Sequence, residues 1–248
     1  GALESGGCAI VSLSGTLQCT DSVIGPCLVS GIVTCFPQGG SGAHLQHVIT
    51  GTQLIKCGEV GIKFMQERAA VTVKDCKFEK CGLGIWCSEA SKLSLQGSTI
   101  TGNSERRPRS EDCTGLFVGE GAQADVSDCT FTNHFKAIAI RDAGSTLTGK
   151  DCAIESCLGS GVYARGEKVN VRLRSWNFSK CGEKKVSNST TAGVTVTCGA
   201  CATLEECRFV ECKTSALQST HNATIVHNNS VFVSCAQQEL AFEGGRIH

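Results

Sequence analysis

The stretch "CGACATLEECRFVEC" carries Cys198, Cys201, Cys207 and Cys212, and its opening Cys-x2-Cys pair has the ligand spacing of a structural zinc site. Four acids, Asp75, Asp128, Asp151 and Glu206, each stand directly before a cysteine. Two carboxylates facing each other across a sugar bond would hydrolyse it, yet only Asp128 and Asp151 belong to successive copies of this motif. The six histidines are scattered, and there is no glycine-rich phosphate loop or serine elbow. Cys207 and Cys212 recur elsewhere in the chain without a second Cys-x2-Cys beside them, which argues against zinc. These residues predict no metal, no cofactor and no catalytic constellation. The expectation is a chain that is not an enzyme.

What the cysteines mark instead is a repeat. "KDCKFEKCGLGIW" (Lys74 to Trp86) returns 76 residues later as "KDCAIESCLGSGVY" (Lys150 to Tyr163). Aligned on this motif, one column reads Ile24, Leu54, Phe78, Ile100, Phe131, Ile154, Phe178, Phe209 and Phe232, apolar throughout. Three residues on, a second reads Cys27, Cys57, Cys81, Asn103, His134, Cys157, Cys181, Cys212 and Cys235. A third, at the Gly-Ile step, reads Ile32, Ile62, Ile85, Leu116, Ile138, Val162, Val194, Leu217 and Leu240. The period is 22 to 24 residues, stretched to 30 or 31 in three places, and periods of this size belong to solenoids. Within each unit, alternating runs such as "AVTVKDC", "KLSLQG" and "VNVRLR" read as half-buried strands, and no unit contains a helical stretch. The 29 glycines against 3 prolines fit short strands joined by tight turns.

Strands and turns stacked unit on unit make a parallel β-helix. The pattern resembles the pectate-lyase-like right-handed parallel β-helix family, whose turns stack like residues in internal ladders. The resemblance covers roughly residues 8 to 243. It implies an all-β fold, a single right-handed parallel β-helix solenoid of about nine coils over residues 1–248, incomplete at each end. At ~4.8 Å per coil the rod is on the order of 40 Å long. Family members that cleave polysaccharides set carboxylates or basic residues in an outer groove. This chain has no Asp-Asp pair, no Gly-His-Gly and no Arg-x-Pro-x-x-Arg, since "RRPRSE" places Glu111 where the last pattern wants Arg.

Seven of the 18 cysteines fall in the ladder column, and Cys76, Cys129, Cys152 and Cys207 share a second inward column. Ladder neighbours ~4.8 Å apart with parallel Cβ vectors are poorly posed for a disulfide, which wants Cβ atoms near ~3.8 Å. Buried thiols are expected, and they favour an intracellular, reducing compartment. Four glycosylation sequons, at Asn177, Asn188, Asn222 and Asn228, keep a secreted reading open. Lys plus Arg and Asp plus Glu are equal at 23 each, so bulk charge does not point to nucleic acid. No apolar run is long enough to span a membrane.

Alternation makes the residue after each Gly-Ile step face outward, giving Val33, Lys63, Trp86, Phe117, Ala139, Tyr163, Thr195, Gln218 and Ala241. Two positions further lie Met65, Ser88, Gly119, Arg141 and Arg165. An aromatic stripe bordered by arginine has the composition of an interface. Two insertions, "SERRPRSEDCT" (104–114) and "GEKKVSNSTTA" (182–192), emerge beside it with Arg106, Arg107, Arg109, Lys184 and Lys185. The candidate binding residues are thus Trp86, Phe117, Tyr163, Arg141, Arg165, Arg106, Arg107 and Arg109. The leading expectation is a non-catalytic module that binds a protein partner or serves as a scaffold. The alternatives are a carbohydrate-binding or carbohydrate-active protein using the aromatics as sugar platforms, and a structural subunit of a larger assembly.

Overall fold

A computed structural model of the chain describes residues 7–13, 15–35, 45–65, 67–102, 113–182 and 191–248. Each repeat lays down three short strands, as in Leu83–Cys87, Lys92–Gln96 and Thr99–Thr101, before Thr114–Val118 opens the next coil. Equivalent strands of successive coils pair in parallel, giving three sheets of ten, ten and nine strands. These are the first, second and third sheets, in the order a coil visits them. Among the described residues there is no helix.

Two corners of most coils are turned by residues in the left-handed region, which most L-residues avoid. At the corner after the second sheet stand Asp21, Asp75, Asp128, Asp151, Ser175, Glu206 and Asn229, with φ between 44° and 55°. Gly51 and Gly97 hold the same place in the intervening coils. At the corner after the third sheet stand Lys56, Lys80, Asn133, Ser156, Lys180, Glu211 and Ser234, with φ between 51° and 60°. The acids before the cysteines are therefore corner residues, and their recurrence is conformational. Asp and Asn tolerate this region better than most side chains.

The same geometry accounts for the cysteines. The corner brings the carbonyl two residues back into reach of the next inward side chain. Ser22, Thr52 and Ser98 donate to that carbonyl at 2.8, 3.1 and 3.0 Å. Cys76, Cys129, Cys152 and Cys207 donate to it through sulfur at 3.2, 3.1, 3.1 and 3.5 Å. Cys81, Cys157, Cys181 and Cys235 repeat the bond at the other corner, at 3.6 to 3.9 Å. Cysteine here is a small, mostly apolar donor in the place of serine. All 18 are free thiols. Burial pushes Cys87 and Cys207 up to about 11, and hydrogen bonds with Cys157 and Cys212, followed by burial, raise Cys181.

Between the corners the interior is filled by stacked columns. Ile32, Ile62, Ile85, Leu116, Ile138, Val162, Val194 and Leu217 line the first sheet, all wholly buried. The third sheet stacks Leu54, Phe78, Ile100, Phe131, Ile154, Phe178, Phe209 and Phe232 in unbroken register. The Phe178 and Phe209 rings lie 4.7 Å apart and only 7° from parallel. The glycine of the Gly-Ile step is small of necessity: a Cβ on Gly84 would come within 2.4 Å of the Gly115 carbonyl and 2.8 Å of Ile100. Trp176 replaces the corner thiol in one coil, and Gly149 makes room for it, since a Cβ there would lie 2.5 Å from the indole.

Two expected details shift. Leu240 pairs with Gln218, not Leu217, because the last coil slips by one residue and sets Glu239 opposite Leu217. Asn103 and most of both insertions lie outside the described residues.

Phe178→Ala is expected to cost about 3–5 kcal/mol in denaturant unfolding, because rungs on both sides prevent collapse of the void. A loss below about 1 kcal/mol would show a core able to repack. His134 adds a pH dependence. It is 2% exposed, Nε2–H donates to the Ile100 carbonyl at 3.0 Å, and Nδ1 has no partner among the described residues. Burial lowers its pKa from 6.5 to about 4. The unfolded chain therefore takes up this proton first as pH falls, and stability drains away between pH 6.5 and 4, by about 3 kcal/mol in all. His134→Asn should flatten that part of the stability–pH curve. An unchanged slope would exclude His134 as its source.

Candidate functional site

The outer face of the first sheet carries one continuous row. Because Ile62, Ile85, Leu116, Ile138 and Val162 point inward, their successors Lys63, Trp86, Phe117, Ala139 and Tyr163 point out. The register places these five directly side by side. Trp86 and Phe117 are in ring contact, centroids 4.6 Å apart and tilted by 41°. The Lys63 ammonium sits 5.1 Å from the Trp86 ring centre. At the other end the Lys136 ammonium lies 4.4 Å from the Tyr163 ring and the Arg141 guanidinium 5.8 Å from it, both within cation–π range.

The row is recessed, which differs from the exposed stripe expected of the sequence. Trp86, Phe117 and Tyr163 are half-buried and Ala139 is buried. Ser88 and Gly119, expected to face outward, are buried at the turn. Lys63, Trp86, Phe117 and Ala139 of the row line a groove of about 560 Å³ together with Glu59, Lys136 and Arg141. Among the described residues, three cations thus share one groove with two aromatic rings and the Glu59 carboxylate.

Of the candidate residues, Trp86, Phe117 and Arg141 line this groove. Tyr163 adjoins it through Lys136 and Arg141. Arg165 is one rung beyond Arg141, with its guanidinium beside Tyr163 and Cys198. Arg106, Arg107, Arg109, Lys184 and Lys185 lie outside the described residues. Glu59 and Lys136 were not among the candidates. Strict alternation assigns Lys136 to the interior with Ile138, yet Val60, Leu83, Thr114 and Lys136 all line the groove. Each precedes the Gly or Ala of the small-residue step, where the chain enters the first sheet from the third-sheet corner and the alternation is not yet established. A lysine in a column of Val, Leu and Thr was the available signal. Among the described residues no three metal-binding side chains converge, and Cys207 and Cys212 are buried in their columns, away from any zinc arrangement.

The electrostatics centre on Tyr163. Burial raises its phenol above the ordinary range, while Arg165 and Arg141 oppose the shift. Burial dominates, so the hydroxyl keeps its proton at neutral pH.

A family model described as a right-handed β-helix region matches residues 37–178 and 109–246. No curated protein matches the chain. Among solved structures, the chain is similar to the crystal structure of alginate lyase from Paenibacillus sp. str. FPU-7, with TM-score 0.63 and 13% identity, covering 99% of this chain and 94% of that one. At that identity the likeness is one of fold. It nonetheless overturns the expectation that the chain is not an enzyme: that expectation rested on missing motifs, and a solved lyase has the same fold over nearly the whole chain.

The chain has a single tyrosine, so an ultraviolet titration reads Tyr163 alone. Its midpoint is expected above the ~10 of a free phenol, and Arg165→Met should move it higher still by removing an opposing charge. A midpoint at or below ~10 would contradict the burial argument.

Proposed function

The chain belongs to the right-handed β-helix family, and from that premise we propose that it is a carbohydrate-active protein whose groove takes a strand of an acidic polysaccharide. The observation that carries this is the placing of Lys63, Lys136 and Arg141 in one groove with Trp86 and Phe117. Aromatic faces take the apolar C–H face of a sugar ring, and cations take carboxylates or sulfates. An extended strand of pyranose rings suits a long, straight floor built from successive rungs.

The reaction class that suits such a groove is β-elimination from a uronate. The C–H next to a carboxylate becomes acidic once a cation neutralises that carboxylate, a task open to Lys136 and Arg141. A base takes the C–H proton, the bond to the glycosidic oxygen breaks, and the departing oxygen needs a proton. Tyr163 retains its hydroxyl proton and stands beside both cations, which fits the proton donor. The fold's likeness to an alginate lyase supports this reading and does not carry it.

Calorimetry with polyuronates, set against neutral glucans, tests the proposal. Binding is expected for the acidic polymers alone and should weaken with salt. Trp86→Ala and Lys136→Met should each reduce affinity about tenfold, the equivalent of ~1.4 kcal/mol. If cleavage occurs, the unsaturated uronate it leaves absorbs in the ultraviolet, and Tyr163→Phe should lower kcat far more than it raises KM. Equal binding of neutral and acidic polymers, or none of either, would sink the proposal.

A further inference from the structure

Beyond the groove, the turn after Val194–Thr197 gathers a second set of reactive groups. Cys198 occupies a turn position at which neighbouring coils carry Glu167, His221 and Glu243. It is half-exposed and belongs to neither thiol column. Four successive coils contribute to its surroundings. From the preceding coil comes the exposed Arg165, opposite Thr197 in register, its guanidinium beside the Cys198 thiol and the Tyr163 phenol. From its own strand, the Thr197 hydroxyl lies 3.6 Å from the Cys198 sulfur and 3.2 Å from His221 Nδ1. From the two following coils come His221 itself and Glu243, whose Oε2 lies 2.9 Å from His221 Nε2.

The sequence thiol, hydroxyl, imidazole, carboxylate is a path along which a proton can leave sulfur, and the guanidinium stands where the resulting negative charge would form. A thiolate is the nucleophile in thiol–disulfide exchange, and nearby cations favour it. Four separate coils would not by themselves assemble these groups; stacking in register does.

We propose that Cys198 is a reactive-thiol site, set up by Arg165, Thr197, His221 and Glu243 to take a low-molecular-weight disulfide. In the step, the Cys198 proton passes through the Thr197 hydroxyl to His221, and the thiolate attacks one sulfur of the disulfide. The S–S bond of the small molecule breaks, a mixed disulfide forms on Cys198, and the second half leaves as a thiolate that is protonated by solvent. The disulfide is the two-electron oxidant and the cysteine is oxidised, so the step balances. The inference is independent of what the groove binds.

Cys201, three residues away and exposed, supplies an internal control because exposure alone would favour it. Native protein is treated with limiting oxidised glutathione, and the adducts are located by peptide mass spectrometry. Cys198 is expected to be modified first, with a second-order rate about tenfold above that of Cys201. Arg165→Met and His221→Ala should each lower the Cys198 rate toward that of Cys201 while leaving Cys201 unchanged. Both replaced side chains are exposed, so the fold is retained, and unchanged thermal unfolding would confirm it. A faster or equal rate at Cys201, or a Cys198 rate indifferent to both substitutions, would overturn the proposal.

Discussion

A chain that closes a coil in a little over twenty residues must turn sharply, and here two of its corners are made by single residues at positive φ. That conformation is unfavourable for most L-residues by roughly 1–2 kcal/mol, and it recurs down the whole solenoid. Much of the repeat follows from it. Asp, Asn, Gly and a few others gather at the corner, and a small inward side chain with a donor follows them. The donor meets a carbonyl that already accepts a backbone bond from the adjacent rung; Lys74, for example, accepts both from Gly51 N–H and from the Cys76 thiol. Ser, Thr and Cys are interchangeable in this role. The abundance of cysteine is thus a hydrogen-bonding and packing solution, with no need for metal or disulfide.

Once the corners fix the path, stacking does the rest. Like residues fall on like, so apolar columns fill the interior and Phe178, Phe209 and Phe232 stack ring on ring. Exceptions occur in compensating pairs, as where Trp176 fills the space left by Gly149. Substitution at one rung is felt by its neighbours above and below, because each provides the walls of the other's site.

The functional face inherits this rigidity. Lys63, Trp86, Phe117 and Tyr163 come from different coils, yet their separation is set by the rung spacing and their direction by strand alternation. Such a row can meet an extended polymer without rearranging, which limits the ordering cost of binding. Arg165 stands between this row and the Cys198 turn, opposite Arg141 on one side and Thr197 on the other.

The sequence alone was enough for the architecture, since equal spacing of like residues can only mean stacked equivalents; the register of Phe78 through Phe232 follows from the pattern. It was also enough to pick out Trp86, Phe117 and Tyr163 as one outward row, because alternation is a local property. It could not show that the row is sunk in a groove, which depends on how the wall residues before the small-residue step turn. Lys136 escaped for that reason: alternation assigns it inward, and only the path of the chain out of the third-sheet corner brings it to the groove. The acids before the cysteines could be set apart from a catalytic pair in the sequence, since only Asp128 and Asp151 belong to successive copies, while their positive φ is visible only in the structure. The meeting of Arg165, Cys198, His221 and Glu243 likewise belongs to the tertiary structure, since it takes four turns from successive coils, up to 78 residues apart in the chain, laid one upon another.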